Sequence, residues 1–278
     1  MKTVKASDIT ARVRDLCISA ATDLEPDVVS ALDGALKKEE SPLGKEVLEQ
    51  IIENFNIARR EKVPMCQDTG VSVFFVEMGK DVMVDGSLED AINEGVRKGY
   101  TEGFLRKSVC DPLSRKNSGD NTPAVIHVRA VPGDKLKIKY APKGAGSENM
   151  SALRMLKPAE GIEGIKAFVI DTIKNGGGNP CPPIVVGVGI GGNFEKAALL
   201  AKEALLRPLG NSNKKADIAV LEAELLQKIN GLGIGPMGFG GTVTALAVHV
   251  ETYPCHIASL PVAINIQCHA DRHKETVL

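Results

Sequence analysis

The 278-residue sequence predicts an α+β fold, with a helical N-terminal region followed by a mixed, partly antiparallel sheet flanked by helices. Three observations predict it. Apolar residues recur at helical spacing through the first sixty residues. Beyond them, β-rich runs and helical stretches alternate irregularly, without the steady rhythm of a doubly wound sheet. Two strand-like runs flank Pro132-Gly133-Asp134, which signals one hairpin. No repeat, low-complexity linker or boundary is visible, so residues 1–278 read as a single domain, with 1–60 its helical part and 61–278 its core.

The elements follow in order. SDITARVRDLCISAAT places Ile9, Val13, Leu16 and Ala20 on one helical face, with Ser7 as N-cap. Pro26 opens a helix through VVSALDGAL. Ser41-Pro42 opens a third, with Leu43, Val47, Leu48, Ile51, Ile52 and Phe55 at helical spacing. PMCQDTG is the loop before a strand at Val71–Val76, and SLEDAINEGVRKGYTEG is a helix with Leu88, Ile92 and Val96 inward. KGAGSENMSALRML reads as a glycine-rich loop leading into a short helix, and IEGIKAFVIDTIKNGGG as a helix stopped at Asn175-Gly176. A buried strand at Ile184–Val186 leads into the helix FEKAALLAKEALL, and ADIAVLEAELLQKIN forms another helix. After GLGIGPMGFGG, the runs TVTALAVHVET and ASLPVAINIQ read as strands.

Composition narrows the function. Hydrophobic residues at 43% and charged residues at 25% give an ordinary globular balance. A formal net charge of −1 offers no basic nucleic-acid surface, although a few local Arg or Lys would serve a small anionic substrate. The N-terminus lacks an apolar signal-like run, and no apolar run reaches the roughly 18 residues of a membrane span. A cytoplasmic protein is expected, with no nucleic-acid or membrane partner. Its six cysteines are widely spread and read as free thiols rather than a disulfide framework.

Two motifs compete for the chemistry. Gly187-x-Gly189-x-x-Gly192 between a strand and a helix matches a dinucleotide-binding turn, as in an NAD-dependent dehydrogenase. Its ribose-binding acid should end the next strand about 20 residues on. Asp217 and Glu222 lie near that distance, but in a helix-like segment. Close strand–helix packing is the better account of these glycines. The other motif is a set of cysteines in polar company. Cys66 adjoins Gln67 and Asp68, Cys181 lies between Pro180 and Pro182, and Cys268 precedes His269, Asp271, Arg272 and His273. All three fall at strand–loop junctions, where side chains can converge over a rigid scaffold. Cys17 falls on an apolar helix face, whereas Cys110 and Cys255 fit neither pattern. No CxxC pair or ferredoxin-type run identifies a metal site by spacing alone.

The blocks PMCQDTG, GFLRKS, DPLSRKNSGDNTPA, KGAGSENMSALRML, NPCPPIVVGVGIGG, GPMGFGGTVTAL and YPCHIASLPVAINIQCHADR run from about residue 60 to residue 273. In these blocks and their order, the chain resembles the α subunit, or N-terminal half, of the class I iron–sulfur hydro-lyases, fumarate hydratase and L(+)-tartrate dehydratase. The resemblance implies the N-terminal-domain fold of those enzymes, with residues 61–278 as the cluster-binding core. It implies a [4Fe–4S] cluster held by Cys66, Cys181 and Cys268, with one iron left without a cysteine and able to act as a Lewis acid. The implied reaction is reversible hydration of fumarate to (S)-malate. Conversion of L(+)-tartrate to oxaloacetate and hydration of mesaconate are the alternatives.

The resemblance also distributes roles. Asp68 is implied as the acid, with Gln67 placing a substrate oxygen. His256 is either a partner in proton transfer or carboxylate orientation, or a hydrogen-bonded core histidine. Arg106 matches a substrate-binding arginine suited to a dicarboxylate. Gly146, Ser147, Glu148 and Asn149 match a loop that presents backbone N–H groups and a side-chain amide, with Ala145 where some relatives have glycine. Single-chain members carry a second domain with a threonine base and further Arg and Lys contacts. This chain ends shortly after Cys268, so a separate β subunit is expected, with the active site at their interface and an α2β2 or similar hetero-oligomer. A non-catalytic iron–sulfur protein would leave Gln67, Asp68 and Arg106 without a purpose.

Overall fold

The computed structural model describes residues 2–278. In chain order the elements are β1 (Lys2–Lys5), α1 (Ala6–Thr22), α2 (Pro26–Lys38), α3 (Pro42–Glu61), β2 (Val71–Gly79), β3 (Val82–Asp85) and α4 (Leu88–Glu102). Then come β4 (Val125–Val131), β5 (Leu136–Lys143), α5 (Ala145–Glu148), β6 (Ala152–Leu156), α6 (Gly161–Gly176), β7 (Ile184–Gly191) and α7 (Phe194–Ala204). The last are α8 (Ala216–Asn230), β8 (Ala245–Tyr253), β9 (Leu260–Gln267) and β10 (Lys274–Val277). Among the described residues, no helix is long and apolar enough to cross a membrane.

The chain forms two compact units. One comprises Met1–Glu25, Asn54–Gly144 and Arg272–Leu278; the other comprises Pro26–Glu53 and Ala145–Asp271. The N-terminal helices are thus shared out, with α1 in the first unit, α2 in the second and α3 running across the division. Prolines open α2 and α3 as expected, because a ring-fixed φ suits the first turn and its missing N–H was unpaired there anyway. Ser41 Oγ accepts the Gly44 N–H at 3.2 Å and caps α3. Ser7 does not cap α1. The strand β1 pairs in parallel with β3 and runs straight into the helix, so Lys5 stands at the cap and Ser7 lies inside. In α3, Leu43 is exposed and the buried stripe runs through Leu48, Ile51 and Phe55.

Each unit holds one four-stranded mixed sheet, with order β10-β5-β2-β4 in the first and β6-β9-β7-β8 in the second. The α+β class with mixed, partly antiparallel pairing is therefore observed, as two sheets plus a two-stranded β1–β3 ribbon. The expected hairpin is not. β4 and β5 do flank Pro132-Gly133-Asp134, but β2 lies between them, parallel to β4 and antiparallel to β5. The connection crosses the end of β2: a Cβ on Gly79 would lie 2.4 Å from the Gly133 carbonyl oxygen. Lys80 and Asp81 N–H groups donate to the Val131 and Gly133 carbonyls at 2.8 and 3.0 Å and hold the crossing down. The turn is legible in sequence, but what lies between its arms is not. The second sheet repeats the arrangement, with β7 between β8 and β9.

ALRML is a strand rather than the expected short helix. The helical turn is α5 itself, and β6 pairs antiparallel with β9, whose ladder overrides the helical preference of Ala, Leu, Arg and Met. The strand β10, antiparallel to β5, has no counterpart in the sequence expectations.

In the first unit, Ile9 and Val13 of α1 and Ile92 and Val96 of α4 pack with Phe74, Val76 and Ile138 of the sheet. In the second, alternate residues of β7 face opposite ways. Val186 and Val188 pack with Phe168 of α6 and Leu225 of α8. On the other face lies α7, and it lies very close. A Cβ on Gly187 would fall 2.0 Å from the Ala201 carbonyl oxygen, and one on Gly189 would fall 2.1 Å from that of Ala197. Both glycines are interior strand residues, so they do not form a phosphate-binding turn. Glu222 is likewise committed, since it pairs with Arg207 and accepts the Val250 N–H at 2.7 Å from its place on α8. Close packing explains the glycines, as expected.

Gly189→Ala should therefore destabilise the chain by about 2 kcal/mol or more, because the obstructing atoms are backbone. Gly34→Ala, where a Cβ in α2 would meet nothing within 4 Å, should stabilise by about 0.5–1 kcal/mol. Urea unfolding of the two variants reads both signs.

Candidate functional site

The candidate residues fall into two groups, one in each unit. In the first, the loop after α3 is pinned at both ends. Asn54 Nδ2 donates to the Met65 carbonyl at 2.8 Å, and the Met65 N–H donates to the Ala21 carbonyl at 3.0 Å. At the far end, Tyr100 Oη donates to the Thr69 and Gly70 carbonyls, 2.8 and 3.0 Å away. Asn121 Nδ2 donates to the Gly70 carbonyl at 3.2 Å. Burial pushes the Tyr100 phenol up, so it remains a donor. Between these anchors Cys66, Gln67 and Asp68 form a short arch, with Gln67 exposed and Cys66 and Asp68 half-buried.

Asp68 and Arg106 are tied to this arch. Asp68 Oδ1 accepts the Gly70 N–H at 3.1 Å. Thr69 Oγ1 donates to the Arg106 carbonyl at 2.6 Å, which fixes the backbone of an arginine whose side chain is exposed. Asn121 Oδ1 accepts the Ser108 N–H at 2.7 Å and so clamps the segment after Arg106. A Cβ on Gly144 would meet both Asp68 Oδ2, at 3.2 Å, and Arg272 Nη2, at 3.7 Å. A buried guanidinium thus borders the same point as the candidate acid.

In the second unit, strand register gathers the residues. β7 and β9 are antiparallel with Val185 opposite Gln267, so Cys181 just before β7 and Cys268 just after β9 lie at the same end of the sheet. His269 joins them. Its backbone N–H donates to the Cys181 carbonyl at 3.2 Å, and its Nδ1 lies 3.0 Å from the same oxygen. Cys181 itself has φ +57°, a left-handed conformation uncommon for a residue with a side chain.

The loop Gly146–Asn149 borders this end. A Cβ on Gly146 would touch the Asn179 carbonyl at 3.5 Å. Ser147 is buried, and its hydroxyl donates to Gln267 Oε1 at 3.4 Å. Glu148 pairs with Lys202 at 2.5 Å and accepts from Asn265 Nδ2 at 2.9 Å. The Asn149, Met150 and Ser151 amides close the α5 turn, which leaves the exposed Asn149 side chain as the loop's outward polar group.

His256 is not a core histidine. It lies on the exposed loop between β8 and β9, and its Nδ1 accepts the Ala258 N–H at 3.1 Å. The neighbouring Ile257 is 92% exposed. Cys17 is the buried bystander expected: burial pushes its thiol up to about 12. Cys66, Cys181 and Cys268 are half-buried. Among the described residues, no three His, Cys, Asp or Glu side chains surround one point closely enough to hold a single metal ion. Sequence reasoning missed Tyr100 and Asn121 and noted His269 only as a neighbour of Cys268; all three hold the candidate residues through backbone carbonyls and amides.

A family profile described as fumarate hydratase (Fumerase) matches residues 10–277. A Methanocaldococcus jannaschii protein provisionally named L(+)-tartrate dehydratase subunit alpha is 51% identical over 276 residues, covering 97% of this chain and 96% of its own. The L(+)-tartrate dehydratase subunit alpha of Escherichia coli strain UTI89 is 32% identical over 268 residues, covering 95% of this chain and 88% of its own.

Tyr100→Phe removes the donor shared by the Thr69 and Gly70 carbonyls. It should cost about 1–3 kcal/mol and raise amide hydrogen exchange in residues 66–70 more than in β7. Equal exchange changes in both segments would contradict a local anchoring role.

Proposed function

The chain belongs to the fumarate hydratase (Fumerase) family of hydro-lyases, and on that premise we propose that it is the α subunit of a two-subunit enzyme that hydrates fumarate to (S)-malate reversibly. The observation that carries the reading is the junction at the end of β7 and β9, where His269 draws the Cys181 turn and the Cys268 segment together. Two half-buried cysteines there fit a [4Fe–4S] group, with Cys66 as the third ligand. A cluster is larger than a single ion, and each thiolate binds a different iron, so its ligands need not surround one point. When bound, such a cluster with three cysteine ligands supplies an open iron as a Lewis acid.

The chain's own residues then bind, orient and move protons. In dehydration the C3–H bond breaks as a base takes the proton, and the C2–O bond breaks as the hydroxyl leaves as water. Asp68, in its anchored arch, is the candidate donor of the proton that completes that water. Gln67 places a substrate oxygen, and the exposed guanidinium of Arg106 offers a bidentate clamp for one carboxylate. Gly146, Ser147, Glu148 and Asn149 form the substrate-side loop. Ser147 and Glu148 shape it through Gln267, Lys202 and Asn265, and Asn149 contacts substrate. His256 assists proton transfer or carboxylate orientation from its exposed loop.

A separate β subunit completes the site, as the subunit names of the relatives suggest. The exposure of His256 and Ile257 supports a surface that a second chain covers, in an α2β2 or similar assembly. L(+)-tartrate is the second reading, and the names of the same relatives favour it. It differs from malate by one hydroxyl, which the β subunit would read in part.

Anaerobic co-purification with the β subunit tests the proposal. About four irons and four sulfides per chain are expected, lost in Cys181→Ser and kept in Cys17→Ser. Full cluster content in Cys181→Ser would remove the ligand assignment. The ratio of kcat/KM for fumarate, L(+)-tartrate and mesaconate decides the substrate, and no turnover of any would defeat the reading.

A further inference from the structure

The corner between α2 and α3 holds a buried carboxylate that joins its own neighbours to residues 203 and 204 positions away. Glu39 is 1% exposed. Its Oε1 accepts the Glu40 and Ser41 N–H groups at 2.9 and 2.8 Å. The Thr242 N–H lies 2.9 Å from Oε1 and 3.0 Å from Oε2, and the Thr242 hydroxyl donates to Oε1 at 3.2 Å. The Val243 N–H donates to Oε2 at 2.8 Å. A carboxylate offers about four acceptor sites, so protein donors fill this one and leave no capacity for a metal or substrate. Burial pushes its pKa up, but the Thr242, Ser41 and Val243 donors outweigh that and hold it below the usual carboxylate range.

The segment held by Glu39 is the glycine loop GPMGFGGTV, and its other side meets the Cys181 turn. Met237 N–H donates to the Pro182 carbonyl at 2.7 Å. A Cβ on Gly178 would lie 3.2 Å from Gly238 Cα, and the Gly178 carbonyl accepts the Cys181 N–H at 3.1 Å. The loop is also closed at its base. Thr244 Oγ1 accepts the Gly235 N–H at 3.1 Å, and the Thr244 carbonyl accepts the Ile184 N–H at 2.9 Å. The residues on both sides of Cys181 therefore rest on a loop that Glu39 staples. A non-glycine residue at positive φ persists only where its surroundings over-determine it.

We propose that Glu39 is a positioning residue which, through residues 235–243, fixes the backbone of Cys181 and so the direction of its thiol. The functional value of that thiol rests on the cluster-ligand reading above. The mechanism is purely one of hydrogen bonding. A glutamine at this position keeps one acceptor oxygen and turns an N–H2 group toward backbone N–H donors, so some of the stapling bonds are lost.

Glu39→Gln and the milder Thr242→Val test this in the full chain. In the cluster-free chain, peptide mass spectrometry follows the alkylation rates of Cys181 and of Cys255, which is exposed and serves as the internal reference. In the co-purified complex, iron and sulfide are followed over time, with thermal midpoints recorded for every variant. The Cys181 rate should change several-fold while the Cys255 rate stays constant, and the complex should lose iron several-fold faster. Thr242→Val should show the same changes at smaller size, and carries the test if Glu39→Gln does not fold. An unchanged Cys181 rate in the folded variants would overturn the proposal. So would parallel changes at both cysteines that track the thermal midpoint, since that is general destabilisation. A Cys181-specific rate change with unaltered iron retention supports the positioning role and removes the ligand reading instead.

Discussion

Cys181 keeps φ +57° because neighbours on both sides leave it no alternative. Its N–H is taken by Gly178, its carbonyl by His269 twice over, and the carbonyl of Pro182 by Met237. That constraint organises the second unit. The His269 contacts bring the end of β9 to the start of β7, and the β7–β9 register keeps them there. The glycine loop must lie against the turn, and Glu39 must hold the loop. Deep in the same sheet, the missing side chains at Gly187 and Gly189 let α7 lie on β7.

The first unit solves a different problem. Its arch of Cys66, Gln67 and Asp68 must face outward, and backbone carbonyls on either side of it are held by Asn54, Tyr100 and Asn121. The anchoring of the arch thus runs through backbone carbonyls on either side of it. Arg106 follows the same plan, with its backbone tied to Thr69 and its guanidinium exposed. Such an arrangement favours pre-set geometry over adjustment on binding.

Much of this was legible in the residues. Helices with a sustained apolar stripe, such as α4 and α8, carry their own signal, as do the proline starts of α2 and α3. The glycines of β7 were rightly read as packing residues, since no acidic strand end followed them. Pairing was less legible. Pro132-Gly133-Asp134 marks a reversal, yet the insertion of β2 between β4 and β5 is a long-range choice that a local pattern does not encode. The strand β6 was hidden because its residues favour a helix and only β9 makes them a strand. Among the candidate residues, the cysteines and Asp68 were visible through their neighbours. Tyr100, Asn121 and Glu39 were not, because each acts on backbone atoms of residues distant in sequence.

The family places this chain among hydro-lyases, whose difficult step is loss of a hydroxyl as water. In the proposed enzyme this chain contributes the thiols, the candidate acid and one carboxylate clamp, and a second chain the rest of the site. Central to that proposal, three cysteines would leave one iron open to substrate. Mössbauer spectra of the iron-57-labelled complex, recorded with and without added dicarboxylate, test that most directly. One iron site is expected to shift on addition while the others stay unchanged. A spectrum with no cluster, or with every iron indifferent to the dicarboxylate, would contradict it.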